Sequence, residues 1–239
     1  MGVDDLDARL LAPLLGDRPL RSYPALLSTD AAAQAWARAG AATGAVVVAD
    51  YQASPRGRGG IAWQAHPGMG LGFSLVVRPD LAVGAEGWLY VAATEALADV
   101  LGGESEIHWP DEILRNGSRT AVVSMQSELG PTGVAWGVVS VLVEQARPPR
   151  GPLLARTVTA IEQRLDEDRD RVLARYRSRC ATFGRRVRAR LMPLGPTSPA
   201  IEGVARDAWA DGSLAIETDD GRRRPVRPQD LGALEGAST

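Results

Sequence analysis

The sequence predicts an α/β (α+β) fold, in which a larger domain with a mixed sheet backed by helices precedes a small antiparallel barrel. In the first part, apolar runs of strand length alternate with helical patterns up to residue 180. Beyond it, short alternating runs are separated by Asp211-Gly212 and Asp220-Gly221, and such Asp-Gly turns join antiparallel strands. We therefore expect a lead-in over residues 1–27, a main domain over 28–180 and a barrel over 181–236.

The elements of the main domain are marked by their ends and by their periodicity. Ser28-Thr29-Asp30 precedes an Ala-rich helix over 31–40, and residues 86–101 have helical spacing before two glycines. The predicted strands cover residues 45–49, 71–78, 106–109, 119–128 and 133–144, the last two as a hairpin. A single amphipathic helix is expected over 153–180, with Glu167 and Arg171 forming an i,i+4 ion pair.

Composition limits the class of protein. With 239 residues, 45% of them apolar, the chain is long enough to fold around its own core. Cys180 is the only cysteine, which excludes an intrachain disulfide and a cysteine-based metal site and favours a reducing compartment. We expect a cytoplasmic protein with no metal site and no membrane segment, and a net charge of −2 gives no general attraction to nucleic acid.

The basic residues are all of one kind. None of the 27 is a lysine, so every one is an arginine. A mechanism that needs a lysine ammonium group therefore cannot operate on the residues of this chain.

A glycine-arginine loop, Arg56-Gly57-Arg58-Gly59-Gly60, follows a predicted strand. Glycine allows close backbone approach, while arginine forks and backbone N–H groups can converge on one anion. The loop is typical of a binding site for a carboxylate or phosphate, and the alternative is an exposed loop with solvated arginines.

Other motifs follow in a fixed order around this loop. They are Ser28-Thr29-Asp30, Ala49-Asp50-Tyr51-Gln52, the arginine loop, Trp63, Pro67-Gly68, Ser74 and His108-Trp109-Pro110-Asp111-Glu112. In this order they resemble the Ser-Thr-Asn, Ala-Glu-x-Gln, Gly-Arg-Gly-Arg-x-Gly-Arg-x-Trp and Lys-Trp-Pro-Asn-Asp motifs of the biotin protein ligase family. With a C-terminal tail that looks like the family's small barrel, the resemblance runs from about Ser28 to Leu234.

The resemblance implies a fold and an activity. The fold would be a class II aminoacyl-tRNA-synthetase/biotin-ligase-like catalytic domain with a mixed sheet, followed by an SH3-like barrel. Biotin and ATP, with Mg²⁺, would give biotinyl-5′-adenylate, and a lysine of a biotin carboxyl carrier domain would then take the biotinyl group. A homodimer is left open, and a DNA-binding repressor function is not expected because no helix-turn-helix precedes residue 28.

Roles for individual residues also follow from the resemblance. Ser28, Thr29 and Gln52 would bind the ureido head of biotin, and Arg56, Gly57 and Arg58 would hold the carboxylate and the adenylate phosphate. The expected nucleotide-binding residues are Trp63, Trp109, Asp111 and Glu112, and the expected catalytic residues are His108, Arg58 and Arg119. Alternative roles are a helix cap at residues 28–30 and core packing for the tryptophans.

The chain departs from the family pattern in the catalytic half. His108 replaces the family lysine, Asp111 adds a carboxylate, and Val122 and Val141 replace a glycine and an asparagine. Pro55 and Ile61 likewise alter the two ends of the arginine loop. Two hypotheses follow: a divergent ligase in which arginines and His108 share the task of the lysine, or a homologue that binds biotin or another carboxylate without adenylating it, or that acts on a different carboxylate.

Overall fold

The computed structural model describes residues 5–60, 63, 68–195 and 197–237. Its helices are α1 Ala8–Leu15, α2 Thr29–Arg38, α3 Trp88–Leu101, α4 Gly151–Asp166 and α5 Arg169–Arg179. Its strands are β1 Leu20–Leu26, β2 Val46–Gln52, β3 Leu71–Val77, β4 Ser105–His108, β5 Glu112–Arg115, β6 Ser118–Leu129, β7 Val134–Val143, β8 Arg186–Leu191, β9 Ala200–Ala208, β10 Leu214–Glu217, β11 Arg223–Val226 and β12 Leu231–Gly236.

The larger sheet is mixed, as the sequence predicts. Its seven strands follow the order β1-β2-β3-β7-β6-β5-β4. Strand β1 is parallel to β2, and the remaining neighbours are antiparallel. The predicted hairpin is present as β6 and β7, which pair from Ala121 and Val143 at one end to Leu129 and Val134 at the other.

Alternation along the strands assigns the two faces of this sheet. On one face, Val47, Val76 and Val138 pack in a small cluster with residues of α2. Neighbours of opposite parity, such as Val48 and Leu75, belong to the main core together with α3, α4 and α5. Because successive side chains point to opposite faces of a strand, α2 covers one face of the sheet and the other long helices cover the opposite face.

The prediction of one continuous helix over 153–180 is wrong, because the structure has two helices there. Helix α4 ends at Asp166, Glu167 is extended, and the side chain of Asp168 caps α5 by accepting a hydrogen bond from the amide of Arg171 (3.1 Å). Glu167 lies between the two helices, so the expected i,i+4 pair with Arg171 within one helix does not form. Glu167 accepts hydrogen bonds from Arg175 at 2.9 and 2.6 Å.

The segment before residue 28, expected as a lead-in, contributes to the sheet. It forms α1 and then β1, which pairs with β2 from Leu20 opposite Val46 to Leu26 opposite Gln52. Leu6, Leu11 and Leu15 are fully buried in the main core. The division of the chain at residues 27 and 180 stays a prediction.

The C-terminal strands form an open sheet. Their order is β11-β10-β9-β8-β12, so β11 and β12 are edge strands that pair only with β10 and β8. The closed SH3-like barrel is therefore not confirmed, since a barrel requires the edge strands to pair with each other. Trp109 joins this sheet to the larger one, because its indole Nε1 donates to the carbonyl of Gly212 at 3.0 Å.

Within the described parts of the chain, none of the helices has the length and apolar character needed to cross a membrane.

Candidate functional site

A buried polar network lies at the N-terminal end of α2. Oε1 of Gln52, near the end of β2, accepts from the backbone amide of Thr29 at 2.8 Å and from its hydroxyl at 3.1 Å. The hydroxyl of Ser74 in turn donates to Oγ1 of Thr29 at 2.9 Å. All three side chains are buried, so these hydrogen bonds fix the amide of Gln52 in one orientation.

Serines extend this network across the sheet. Ser74, Ser140 and Ser124 are register partners on the adjacent strands β3, β7 and β6, so they share the face that α2 covers. Oγ atoms of Ser74 and Ser140 lie 2.8 Å apart, and the hydroxyl of Ser124 lies 3.4 Å from the carbonyl oxygen of Arg56. The serines thus connect the end of α2 to the arginine loop.

Two buried polar groups lie at this end of the site: a hydroxyl without a hydrogen-bond partner and a carboxyl whose charged form is disfavoured by burial. Oγ of Ser28 is buried and makes no hydrogen bond with the described residues. Burial raises the pKa of the Asp30 carboxyl above its ordinary value, against the effect of hydrogen bonds from Gln34 and Ser140. A buried hydroxyl without a partner costs free energy, so this position favours a ligand that can hydrogen-bond to it.

The arginine loop is tied to two distant segments through Arg58. Its Nε donates to Oδ2 of Asp111 at 3.0 Å, and its Nη1 donates to the carbonyl oxygen of Leu231 at the start of β12. Burial raises the pKa of Asp111 to about 6, since desolvation outweighs the opposing charge of Arg58. At neutral pH the pair is therefore ionised, and Arg58 has an internal counter-anion.

Arg56 behaves differently from Arg58. Its side chain is exposed, and its Nη1 donates to the carbonyl oxygen of Gly60 in its own loop (3.2 Å). The indole ring of Trp63 packs against Gly57, the residue between Arg56 and Arg58. A Cβ added at Gly57 would lie 2.1 Å from the indole Nε1 of Trp63. Glycine is required at position 57 because the indole ring occupies the space of a side chain.

A cavity of about 180 Å³ opens between the arginine loop, the β4–β5 turn and β6. Seven predicted site residues line it together: Arg58, Trp63, His108, Trp109, Asp111, Glu112 and Arg119. Val122, Thr182 and Leu234 also line the cavity, so the C-terminal segment contributes to its wall. The structure therefore brings the predicted catalytic and nucleotide-binding residues to one place.

The other cationic group at the cavity, Arg119, is also paired. It donates to Oε1 of Glu144 at 2.6 Å and to Oε1 of Glu112 at 3.3 Å. Nε2 of His108 is buried without a hydrogen bond to the described residues and lies 3.8 Å from Oε2 of Glu106. His108 thus brings to the cavity a ring nitrogen without a hydrogen-bond partner among the described residues.

Comparison with known proteins gives this arrangement a family. The chain is 30% identical over 218 residues to the biotin–[acetyl-CoA-carboxylase] ligase of Mycobacterium tuberculosis (strain ATCC 25618 / H37Rv). This match covers 80% of each of the two chains. The chain belongs to the biotin protein ligase family. It is also 34% identical over 112 residues to the bifunctional ligase/repressor BirA of Bacillus subtilis (strain 168), a match to 44% of this chain and 34% of that protein. No protein-family model matches the chain.

Solved structures share the fold of this biotin protein ligase family member. The biotin protein ligase of Aquifex aeolicus in complex with biotin and ATP superposes with a TM-score of 0.67 at 19% identity, covering 92% of this chain and 99% of that one. A biotin protein ligase-like protein of unknown function from Silicibacter sp. TM1040 gives a TM-score of 0.66 at 13% identity, with 91% and 96% covered. The motif order therefore identified the family correctly.

Placement of the expected ligand residues divides them into two groups. Ser28, Thr29 and Gln52 lie together at the N-terminal end of α2. The remaining residues line the cavity, except for Arg56 and Gly57 of the arginine loop. Their roles stay predictions. Ile61 and Pro67 lie outside the described residues.

Ser124 and Ser140 are network members that the sequence analysis did not single out. Each serine stands between apolar neighbours in the buried part of its strand, Val123-Ser124-Met125 in β6 and Val139-Ser140-Val141 in β7. An isolated serine at a position that the strand pattern buries predicts a hydrogen-bonded polar site. That signal was available in the sequence.

Proposed function

We propose that this chain is a biotin protein ligase, which uses ATP to activate biotin as biotinyl-5′-adenylate and transfers the biotinyl group to a lysine of a carboxylase carrier domain. Support comes from the relative named biotin–[acetyl-CoA-carboxylase] ligase, which covers 80% of this chain. The structural observation that carries the proposal is the unpartnered Ser28 hydroxyl at the end of the buried Thr29–Gln52–Ser74 network. A ureido group needs both donors and acceptors, and this network supplies both.

In the proposed site, Ser28, Thr29 and Gln52 would hold the biotin head. The amide of Gln52 is anchored by two hydrogen bonds to Thr29, so it would meet the ligand without having to be ordered first. Such preorganisation reduces the entropy lost on binding. The carboxylate tail would then extend along the serines toward the arginine loop.

At the reacting end, Arg58, Arg119 and His108 would supply hydrogen bonds and charge. A biotin carboxylate oxygen would form a bond to the α-phosphorus of ATP as the bond to the bridging oxygen breaks, and pyrophosphate would leave with the electron pair. The cationic groups would stabilise the charge that develops on the phosphate oxygens. Trp63 and Trp109 would pack on the nucleotide, and Trp63 would also limit access of water to the adenylate.

In the second step the amine of the carrier lysine would attack the acyl carbon of the adenylate. An amide bond would form, AMP would leave with the electron pair of the broken bond, and the amine would release a proton to solvent. The attacking amine must come from the partner protein because this chain contains no lysine.

The Mg²⁺ expected with ATP does not find a ready set of ligands here. Of the described residues, no three acidic, histidine or cysteine side chains are grouped so as to hold a metal ion. The two carboxylates at the cavity, Asp111 and Glu112, are paired with Arg58 and Arg119. We therefore assign Mg²⁺ no position in the site and no step.

One observation favours a second function. Both arginines at the cavity are neutralised by protein carboxylates, and the family lysine is His108. A homologue that binds biotin or another small carboxylate without adenylating it would need no excess of positive charge there.

The family resemblance also supports, as proposals, an SH3-like C-terminal fold and a cytoplasmic location.

Biotin-dependent exchange of pyrophosphate into ATP tests the first function. With Mg²⁺ present, we expect exchange that requires biotin, followed by labelling of a purified carboxyl carrier domain. Absence of exchange at high protein concentration and saturating Mg²⁺ would reject adenylation. Calorimetry with biotin then separates the alternatives: retained binding supports the binding protein, and loss of binding points to a different carboxylate.

A further inference from the structure

Arg58 is held from two sides inside the protein. The guanidinium group has five N–H donors. One hydrogen bond goes to the Asp111 carboxylate and one to the carbonyl oxygen of Leu231. The donors that remain belong to a side chain that lines the cavity. Arg58 is therefore oriented before any ligand arrives, but its charge is already compensated.

The charges around the cavity nearly cancel. The carboxylates of Asp111 and Glu112 lie against the guanidinium groups of Arg58 and Arg119, with His108 beside them. Exposure distinguishes the two ion pairs. The side chains of Arg58 and Asp111 are only 9% and 12% exposed, whereas those of Arg119 and Glu112 are 45% and 41% exposed. Water screens the second pair, so the buried pair dominates the field that an entering anion meets.

We propose that Asp111 acts as an internal counter-anion that occupies Arg58, and that an anionic ligand group must displace it to bind. Asp111 would thus set the affinity of the cavity for phosphate and carboxylate groups, as a specificity-determining residue rather than a catalytic one. The attachment of Arg58 to Leu231 keeps the guanidinium in place during the exchange of partners. This inference rests on the proposed function, because it takes the cavity as the place where the anionic groups of that reaction bind.

Asp111→Asn is the direct test. It keeps an oxygen that can accept from Nε of Arg58 while removing the charge. Calorimetry with inorganic pyrophosphate alone, at constant ionic strength, is expected to show at least about tenfold tighter binding to Asp111→Asn than to the wild-type protein, since one charged hydrogen bond no longer competes. In the double variant Arg58→Gln/Asp111→Asn the gain is expected to disappear.

Glu104→Gln is the matched control. It removes the same charge from an exposed residue in the bend before β4. Because exposed charges are screened, its affinity for pyrophosphate should stay within about twofold of wild type. A folded Asp111→Asn protein with unchanged or weaker pyrophosphate binding, or an equal gain in Glu104→Gln, would overturn the proposal.

A second variant covers the case in which Asp111→Asn does not fold. Arg58→Gln retains a donor for Leu231, and the proposal expects it to bind pyrophosphate at least about tenfold more weakly than wild type. Unchanged affinity would mean that Arg58 is only a structural partner of Asp111. Since calorimetry requires no turnover, protein that lacks exchange activity but shows the Asp111→Asn gain would reject the proposed ligase function and support this inference.

Discussion

Gln52 and Thr29 are joined by two hydrogen bonds: Oε1 of Gln52 accepts one from the backbone amide of Thr29 at 2.8 Å and one from its hydroxyl at 3.1 Å. The contact joins β2 to the first residue of α2, 23 positions away along the chain. It also sets the position of Nε2, the remaining donor of the Gln52 amide.

Gly72→Ala is expected to abolish or strongly weaken biotin binding. A Cβ at position 72 would lie 2.2 Å from Nε2 of Gln52, so the amide must move and its contacts with Thr29 are disturbed. We expect the affinity for biotin, measured by calorimetry, to fall by at least about tenfold, the loss of one or more buried hydrogen bonds. Gly236→Ala is the control, because an added Cβ there meets open space. Equal biotin affinities of the two variants would contradict the prediction.

Arg150 is expected to be a main determinant of stability. Its side chain is 2% exposed and donates to carboxylates of Asp5 and Asp50, both at 2.5 Å, and to the carbonyl of Gly70 at 3.1 Å. Arg150→Met leaves two carboxylates without their cation, and we expect the free energy of unfolding to fall by about 3 kcal/mol or more. Chemical denaturation measures this change.

Arg150→Met should also weaken the loss of unfolding free energy that acid causes in the wild-type protein. Burial acts to raise the pKa of Asp5, but the hydrogen bonds and charge of Arg150 outweigh it and lower that pKa below its ordinary value. A lowered carboxyl pKa stabilises the fold above the ordinary pKa, and this stabilisation is lost as the pH falls through the lowered value. Arg147→Met, at an exposed arginine, is the control. A similar loss of stability in both variants would refute a specific role for Arg150.

Asp111 should contribute the opposite pH dependence. Burial raises its pKa to about 6, with Arg58 lowering it and Glu112 raising it further. Between the ordinary pKa and about 6 the folded protein therefore holds an extra proton, so this contribution to stability declines as the pH rises through that window. Relative to Asp111→Asn, the free energy of unfolding of the wild-type protein should fall by about 1 kcal/mol from pH 5 to pH 7. A difference that grows with pH would disprove the assignment.

The absence of lysine predicts an unusual result in an activity assay. A reactive adenylate that leaves an enzyme labels nearby lysine side chains, but this chain has none. Incubation with biotin, ATP and Mg²⁺ without an acceptor should add at most one biotinyl group, at the N-terminal amine, even if the adenylate forms. Intact-mass spectrometry measures the addition, and a lysine-containing carrier domain mixed in serves as the positive control. Multiple additions to this chain would contradict the expectation.

Much of the fold could be predicted because it depends on local signals. The helix after Ser28, the hairpin of β6 and β7 and the strand breaks at the Asp-Gly turns follow from periodicity and turn residues. The side chain of Ser28, a possible helix cap, makes no capping hydrogen bond. The single helix over 153–180 failed because Asp168 acts as a cap only once Glu167 is extended. Strand β12, of sequence Leu-Gly-Ala-Leu-Glu-Gly, has no β-branched residue, so its composition alone does not predict a strand.

The sequence by itself determined the family and the types of residue at the site, because motif order and residue chemistry are properties of the chain. Only the tertiary structure decided which of those residues meet. Arg58 hydrogen-bonds to Asp111, 53 positions away in the sequence, and to Leu231, 173 positions away. Strand pairing and the packing of the C-terminal sheet bring these residues together. No local pattern encodes such contacts, since they depend on how separate elements pack. The arginine loop therefore predicts an anion site from sequence, whereas the ion pairs that balance its charge are evident only in three dimensions.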